Sequence, residues 1–179
     1  MRIQKDGKYF FLFYMLGFLL GILCTNILAK DYVAAMGIFN DFFLKQYAQT
    51  EVIASEYMCY IVRVRLLPLG ALALLGCLKI KKAVVMCSLL WTGFLCGMLS
   101  SSTVMHMGAK GIVMCLIALL PHFIFYLIGY AILIWYFYSY PTSRWNLMKT
   151  VIFILSIGIG LILECYVNPV LMKLFIKTI

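Results

Sequence analysis

Long apolar runs separated by short basic stretches set the pattern of this 179-residue chain. A helix crossing a bilayer core of about 30 Å needs roughly 20 apolar residues. Runs of that order cover residues 9–29, 83–105, 111–137 and 150–174. A shorter run, 66–78, reaches spanning length if its helix begins near Tyr60. The pattern therefore predicts five transmembrane helices, at 9–29, 60–78, 83–105, 111–137 and 150–174, or four if the second run is re-entrant. Starting the second span near Tyr60 brings Arg63 and Arg65 into its outer turns, where arginines can snorkel to the headgroups. Pro68 is expected to kink that helix.

Between the first two spans the periodicity changes. In residues 30–62, Val33, Met36, Phe39, Phe43, Leu44 and Tyr47 recur at helical spacing beside Asp41, Lys45 and Gln46. This predicts an amphipathic helical segment on the outer surface or capping the bundle. It either links two spans or docks a partner. Thr50 reads as the N-cap of the helix that leads into span two.

Composition sharpens the class. Hydrophobic residues make up 65% of the chain, charged ones 12%, and the mean hydropathy is +1.04. Soluble domains are roughly 45–50% apolar and about 25% charged. The chain is thus read as a single all-α membrane domain over 1–179, a polytopic bundle without room for a separate soluble catalytic domain. Residues 9–29 exceed the usual h-region of about 7–15 residues, which favours an uncleaved first span over a signal peptide. Leu23 before Cys24 also argues against a lipoprotein site, where a small residue is expected.

Fifteen Lys/Arg against six Asp/Glu give a net charge of +9. Nucleic acid is not the expected partner, because no polar domain exists to carry it. The basic residues fall between apolar runs and instead read as topology and lipid-headgroup signals. Arg2, Lys5 and Lys8 precede span one; Lys79, Lys81 and Lys82 join spans two and three; Arg144 and Lys149 join spans four and five. The opposite connections are poorer in Lys/Arg, although the C-terminal end holds Lys173 and Lys177. This bias predicts a multi-pass protein with a cytoplasmic N-terminus. YFFLFY (9–14) and WYFYSY (135–140) place aromatic rings at the proposed inner headgroup level.

Candidate chemistry centres on Glu164, the sole acidic residue after Glu56. A carboxylate in mid-span costs several kcal/mol unless it is paired, protonated or solvated. Helical rise puts Glu164 about 21–22 Å from the inner end of span five and His122 about 16–17 Å below the outer face. The two are then offset by about 8 Å in depth. Arg65 or Arg63, entering from outside, is the expected partner of Glu164. A structural ion pair, a protonated carboxyl and a proton or ion relay all stay open, with structure favoured because a relay needs more ionisable groups. His122 follows Pro121, and its imidazole is expected to satisfy a carbonyl that proline frees. His106, flanked by Met105 and Met107, is weak evidence for Cu(I). No metal or other cofactor is expected.

The seven cysteines lie mostly in apolar runs without a CxxC, so they read as packing residues. Gly17 with Gly21, Gly93 with Gly97, and Ser156 with Gly160 form small-xxx-small faces that let helices approach closely. Such faces are compatible with a homo-oligomer as well as with packing inside one chain. No HExxH, GxSxG or phosphate loop occurs, and no catalytic residues are assigned.

At three stretches the chain resembles the stage II sporulation protein M family. These are WTGFLCGMLSSSTVMHMGAKGI (91–112), ALLPHFIFYLIGYAIL (118–133), and the closing Glu164, Tyr166, Val167 and Pro169. The first matches a Gly-rich outward helix with a tight turn, the second an LLP-H or LLP-Q helix. Two positions depart from family patterns. Phe123 and Tyr126 stand where non-sporulation relatives often have glycine and glutamate, and His122–Phe123 where engulfment members often have Gln–Asn. The resemblance implies a non-catalytic scaffold of the bacterial cell membrane that positions peptidoglycan hydrolases during forespore engulfment. The alternative is a small permease or channel subunit that works with an ATPase.

Overall fold

The computed structural model describes residues 2–28, 41–50 and 54–178, and every regular element among them is helical. Helix α1 (Arg2–Leu23) continues into a π-helical segment, Cys24–Leu28. Then come α2 (Asp41–Gln49), α3 (Ala54–Gly76), α4 (Lys81–Met107), α5 (Ala109–Leu119) and α6 (His122–Ser139). Helix α7 (Leu147–Ile162) runs through a second π-helical segment, Leu163–Val167, into α8 (Asn168–Thr178). Among the described residues, five stretches are long and apolar enough to cross a membrane: Lys8–Ile27, Ser55–Gly76, Lys81–Met107, His122–Ser139 and Leu147–Thr178. Large apolar side chains face outward along them, with Leu67 69%, Leu74 75% and Leu147 80% exposed. Water would not tolerate so continuous an apolar surface, whereas lipid is a matching solvent for it. This is an all-α, multi-pass membrane protein.

The five-span reading stands, and it differs from the structure at the fourth span. Span two is one continuous helix that contains Pro68, so it is not re-entrant. The expected span 111–137 is instead two helices, α5 and α6, separated by a turn at Leu120 and Pro121. Proline lacks an N–H and its ring clashes with the carbonyl four residues back, so a helix breaks there. The 11-residue α5 is then about 16 Å long, too short to cross alone. Of the outer segment 30–62, residues 30–40 and 51–53 lie outside the described residues. They include Val33, Met36 and Phe39, and the turn over which Thr50 would act as a cap. Within α2 the amphipathic reading holds where side chains are described: Leu44 is buried, Tyr47 half-buried, Lys45 and Gln46 exposed.

The chain forms two compact units. One comprises Met1–Tyr47 with Met86–Cys115, and the other Ala48–Val85 with Leu116–Ile179. In the first unit, the four glycines of the two GxxxG motifs face one another. A Cβ on Gly93 or Gly97 would overlap the carbonyl oxygen of Tyr14 or Phe18, and one on Gly17 or Gly21 that of Leu90 or Phe94. The numbers rise together on both helices, so α1 and α4 run parallel with their backbones touching. The π-helical end of α1 adds polar contacts. Thr25 Oγ1 donates to the Gly21 carbonyl (3.0 Å), while Asn26 Nδ2 donates to the Ile22 carbonyl (2.8 Å) and to Ser101 Oγ (2.9 Å). Helix α4 ends at Gly108, whose φ of +61° suits glycine as the left-handed terminator of a helix. Gly111 then passes so close that a Cβ would overlap the Thr103 carbonyl, which makes the α4–α5 turn tight.

In the second unit, α6 buries Tyr126, Gly129, Leu133 and Phe137, which share one face at spacings of three and four. Gly129 receives the side chain of Ile157 from α7, and Gly76 at the end of α3 receives the Phe137 ring. Ser156, Ile157 and Gly160 form the matching face of α7.

Because the α1–α4 contact is backbone against backbone, even a methyl group forces the helices apart. Gly93→Ala and Gly97→Ala are each expected to lower stability by about 1–3 kcal/mol, the usual range for overpacking. Gly158→Ala, with nothing within 4 Å of its Cβ position, should stay within about 0.5 kcal/mol of the parent. Thermal unfolding of the detergent-solubilised variants measures the difference.

Candidate functional site

Three helices of the second unit bring their polar side chains to one carboxylate. Arg65 lies in α3, midway between the helix start and its Gly76 end; His122 opens α6, with Tyr126 one turn on; Glu164 sits in the π-helical segment after α7. That segment has a local cause in the sequence. Pro169 has no N–H to give the Cys165 carbonyl, and its ring crowds that position, so a regular α-helix cannot run through it. The backbone widens instead, and the Asn168 N–H donates to the Leu163 carbonyl five residues back. Single-turn π-bulges of this kind are frequent where a helix carries a functional side chain. Pro169 itself is buried.

Glu164 is 8% exposed. Arg65 Nε donates to Oε1 at 3.1 Å and Oε2 at 2.9 Å, and Arg65 Nη2 donates to Oε1 as well. The hydroxyl of Tyr126 donates to Oε2 at 2.7 Å. Each carboxylate oxygen thus accepts at least two hydrogen bonds, most of them from a cation, the strongest arrangement available to such a pair. The Arg65 guanidinium carbon also stands 5.2 Å from the centre of the Tyr126 ring, a cation–π distance. Gly160 makes this possible. A Cβ there would come within 2.8 Å of Tyr126 Cε1, so any larger residue pushes the ring away from the carboxylate. Ser156, Gly160 and Glu164, at intervals of four on one face, act as a groove for the α6 ring and then its acceptor.

His122 is buried, at 2% exposure, with Nε2 3.9 Å from Glu164 Oε1 and its ring edge-on to Tyr126 at 5.8 Å. Its Nδ1 has no hydrogen-bond partner among the described residues, and neither has the buried Asn168 Oδ1. The imidazole therefore sits on the carboxylate side of the site, and Nδ1 makes no bond to a carbonyl freed by Pro121. Pro121 instead ends the preceding helical stretch and sets His122 at the start of α6.

The sequence-predicted residues thus separate. Arg65, His122 and Glu164 come together, with His122 much nearer the carboxylate than the depth estimate of about 8 Å suggested. Arg63, two residues from Arg65 and on another side of α3, is exposed and takes no part among the described contacts. Tyr126 was missed as a donor. Its signal was the spacing Pro121-His122-x₃-Tyr126, one turn beyond the histidine on the same face of α6. Among the described residues no group of three or more His, Cys, Asp or Glu could hold a metal ion. Chemically, the arrangement is a closed clamp: a carboxylate, its counter-ion and a phenol joining α3, α6 and the α7–α8 span.

Removing one partner should cost more than removing both. Arg65→Met, which leaves the carboxylate unpaired, is expected to destabilise by about 3 kcal/mol, the low end for a buried pair because Arg65 is partly exposed. Tyr126→Phe should cost about 1–2 kcal/mol, the worth of one hydrogen bond to a charged acceptor. The double variant Arg65→Met with Glu164→Leu should recover much of the first loss, as unfolding of the four proteins in a double-mutant cycle would measure.

Comparison with protein-family models, with curated proteins and with solved structures returned no match to this chain.

Proposed function

We propose that this chain is a non-catalytic scaffold of a bacterial cell membrane, with a cytoplasmic N-terminus, that positions peptidoglycan hydrolases during forespore engulfment. The observation that carries the scaffold reading is the occupancy of Glu164. Its two oxygens are taken up by Arg65 and Tyr126, which ties three membrane-spanning stretches at one depth. A transport carboxylate has to exchange its partners during a cycle, and such groups come in relays along a path. Here the one acidic group of the second unit's α6–α8 region is locked by a neighbouring cation. The hydrolase partners rest on the resemblance of residues 91–112, 118–133 and 164–169 to stage II sporulation protein M.

One observation favours a permease or channel subunit driven by an ATPase. His122 Nδ1 and Asn168 Oδ1 are buried polar atoms without described partners, as water-filled paths require. The two readings separate in one experiment. Tagged wild-type protein is cross-linked and purified from its host early in sporulation, alongside Glu164→Gln. The scaffold reading expects peptidoglycan hydrolases with the wild type and a lower steady-state level of Glu164→Gln, because Arg65 is left facing a neutral amide. A stable Glu164→Gln protein that co-purifies with an ATPase and has lost transport would overturn it.

A further inference from the structure

Five cations of the second unit lie toward the same end. Two connections meet there, Cys77–Ile80 between α3 and α4 and residues 140–146 between α6 and α7, with the first turns of α4 and α7. They carry Lys79, Lys81, Lys82, Arg144 and Lys149. The sequence has no acidic residue from 57 to 163. Along the helix axes, Glu56 lies about 30 Å and Glu164 about 25 Å from this end. Both distances exceed the screening length of about 8–10 Å in physiological salt, and Glu164 already has its own arginine. Among the described residues of this unit, five cations therefore stand at one end without a carboxylate near them.

Specific contacts fix the arrangement. Lys81 Nζ sits 3.2 Å from the centre of the Tyr140 ring and Lys82 Nζ 5.4 Å from that of Tyr138, so the first connection is pinned to the end of α6. Lys149 Nζ donates to Ser143 Oγ and to the Arg144 carbonyl, both at 2.7 Å, and holds the second connection in a tight loop. Asn146 caps α7 by accepting from the Lys149 N–H at 3.1 Å. Trp145 donates through Nε1 to Thr150 Oγ1 at 2.7 Å and stacks edge-on against Tyr136 at 5.1 Å. Tyr136, Tyr140 and Trp145 thus form a cluster of amphipathic rings, the composition of a membrane–water boundary. Lys79, Lys82 and Arg144 are exposed beside it.

We infer that this end of the second unit is a binding site for the phosphate headgroup of an anionic phospholipid. Lys79, Lys82 and Arg144 supply the charge, and Trp145 marks the headgroup level. The chemistry is that of basic pockets between transmembrane helices, which capture anionic headgroups through several cations at once. Neutral zwitterionic lipids offer no net charge to such a cluster. The cation–π contacts lower the cost of binding, because they keep the lysines in place without neutralising them. This inference concerns lipid and stands apart from the scaffold reading, so either can fail alone.

Trp145 reports on the site. The test uses the full-length protein with Trp91→Phe and Trp135→Phe, leaving Trp145 as the sole tryptophan. It is reconstituted into vesicles of phosphatidylcholine with a minor fraction of brominated phosphatidylglycerol or, separately, brominated phosphatidylcholine. Quenching of Trp145 should show at least a severalfold preference for the brominated anionic lipid. The triple variant Lys79→Gln, Lys82→Gln, Arg144→Gln should lose it, at about fivefold per charge removed at most. Lys79→Arg with Lys82→Arg should keep the preference, which separates charge from misfolding. Lys173→Gln with Lys177→Gln, at the other end of the last span, should keep it too. Equal quenching by both lipids in the parent overturns the inference. So does a preference that survives the triple variant, or one that falls equally with the Lys173 and Lys177 changes, which would mean diffuse attraction rather than a site.

Discussion

A single ion pair sets the terms for the second unit of this protein. Once Glu164 lies inside an apolar helix, every helix near it is constrained to supply a donor or to stay small. Arg65 and Tyr126 are the donors. Gly160 is the small residue that lets the Tyr126 ring in. Pro169 bends the backbone so that the carboxylate is presented in a widened turn. An isolated carboxylate would be intolerable in lipid, and a fully paired one converts that penalty into positional information. The register of α3 against α6 and of both against the last span follows from where three side chains must meet.

The first unit solves the same packing problem without charge. It has no polar clamp of comparable strength among its described residues and relies on the absence of side chains. Backbone contact at Gly17, Gly21, Gly93 and Gly97 replaces hydrogen bonding with dispersion over a close interface. Thr25, Asn26 and Ser101 add polar contacts at its far end. One protein thus shows both ways in which helices associate where the hydrophobic effect offers no help: small residues and internal polar bonds.

Much of this was legible in the sequence, for identifiable reasons. Spans follow from the length of apolar runs, which lipid thickness fixes, and the GxxxG faces follow from helical geometry. Glu164 stood out because a lone acid in such a run demands an explanation, and arginine is the side chain best matched to it. The choice of Arg65 over Arg63 was not legible. Two residues apart on a helix means about 200° of rotation, and only the packing of α3 decides which one faces inward. Tyr126 was hidden among twelve tyrosines, and only its place one turn beyond His122 on α6 set it apart. The break at Pro121 was visible as a proline, but an apolar run on both sides masked its power to divide a span.

The parallel pairing of α1 and α4 also bears on how the chain is made. Gly17 and Gly97 are separated by 80 positions in the sequence. While the chain is being inserted, the glycine face of α1 therefore has no proper mate. It must wait against lipid or the insertion machinery until some 80 further residues have followed it. An order of events is built into the fold: α1 enters well before α4, yet it finds its place only when α4 arrives.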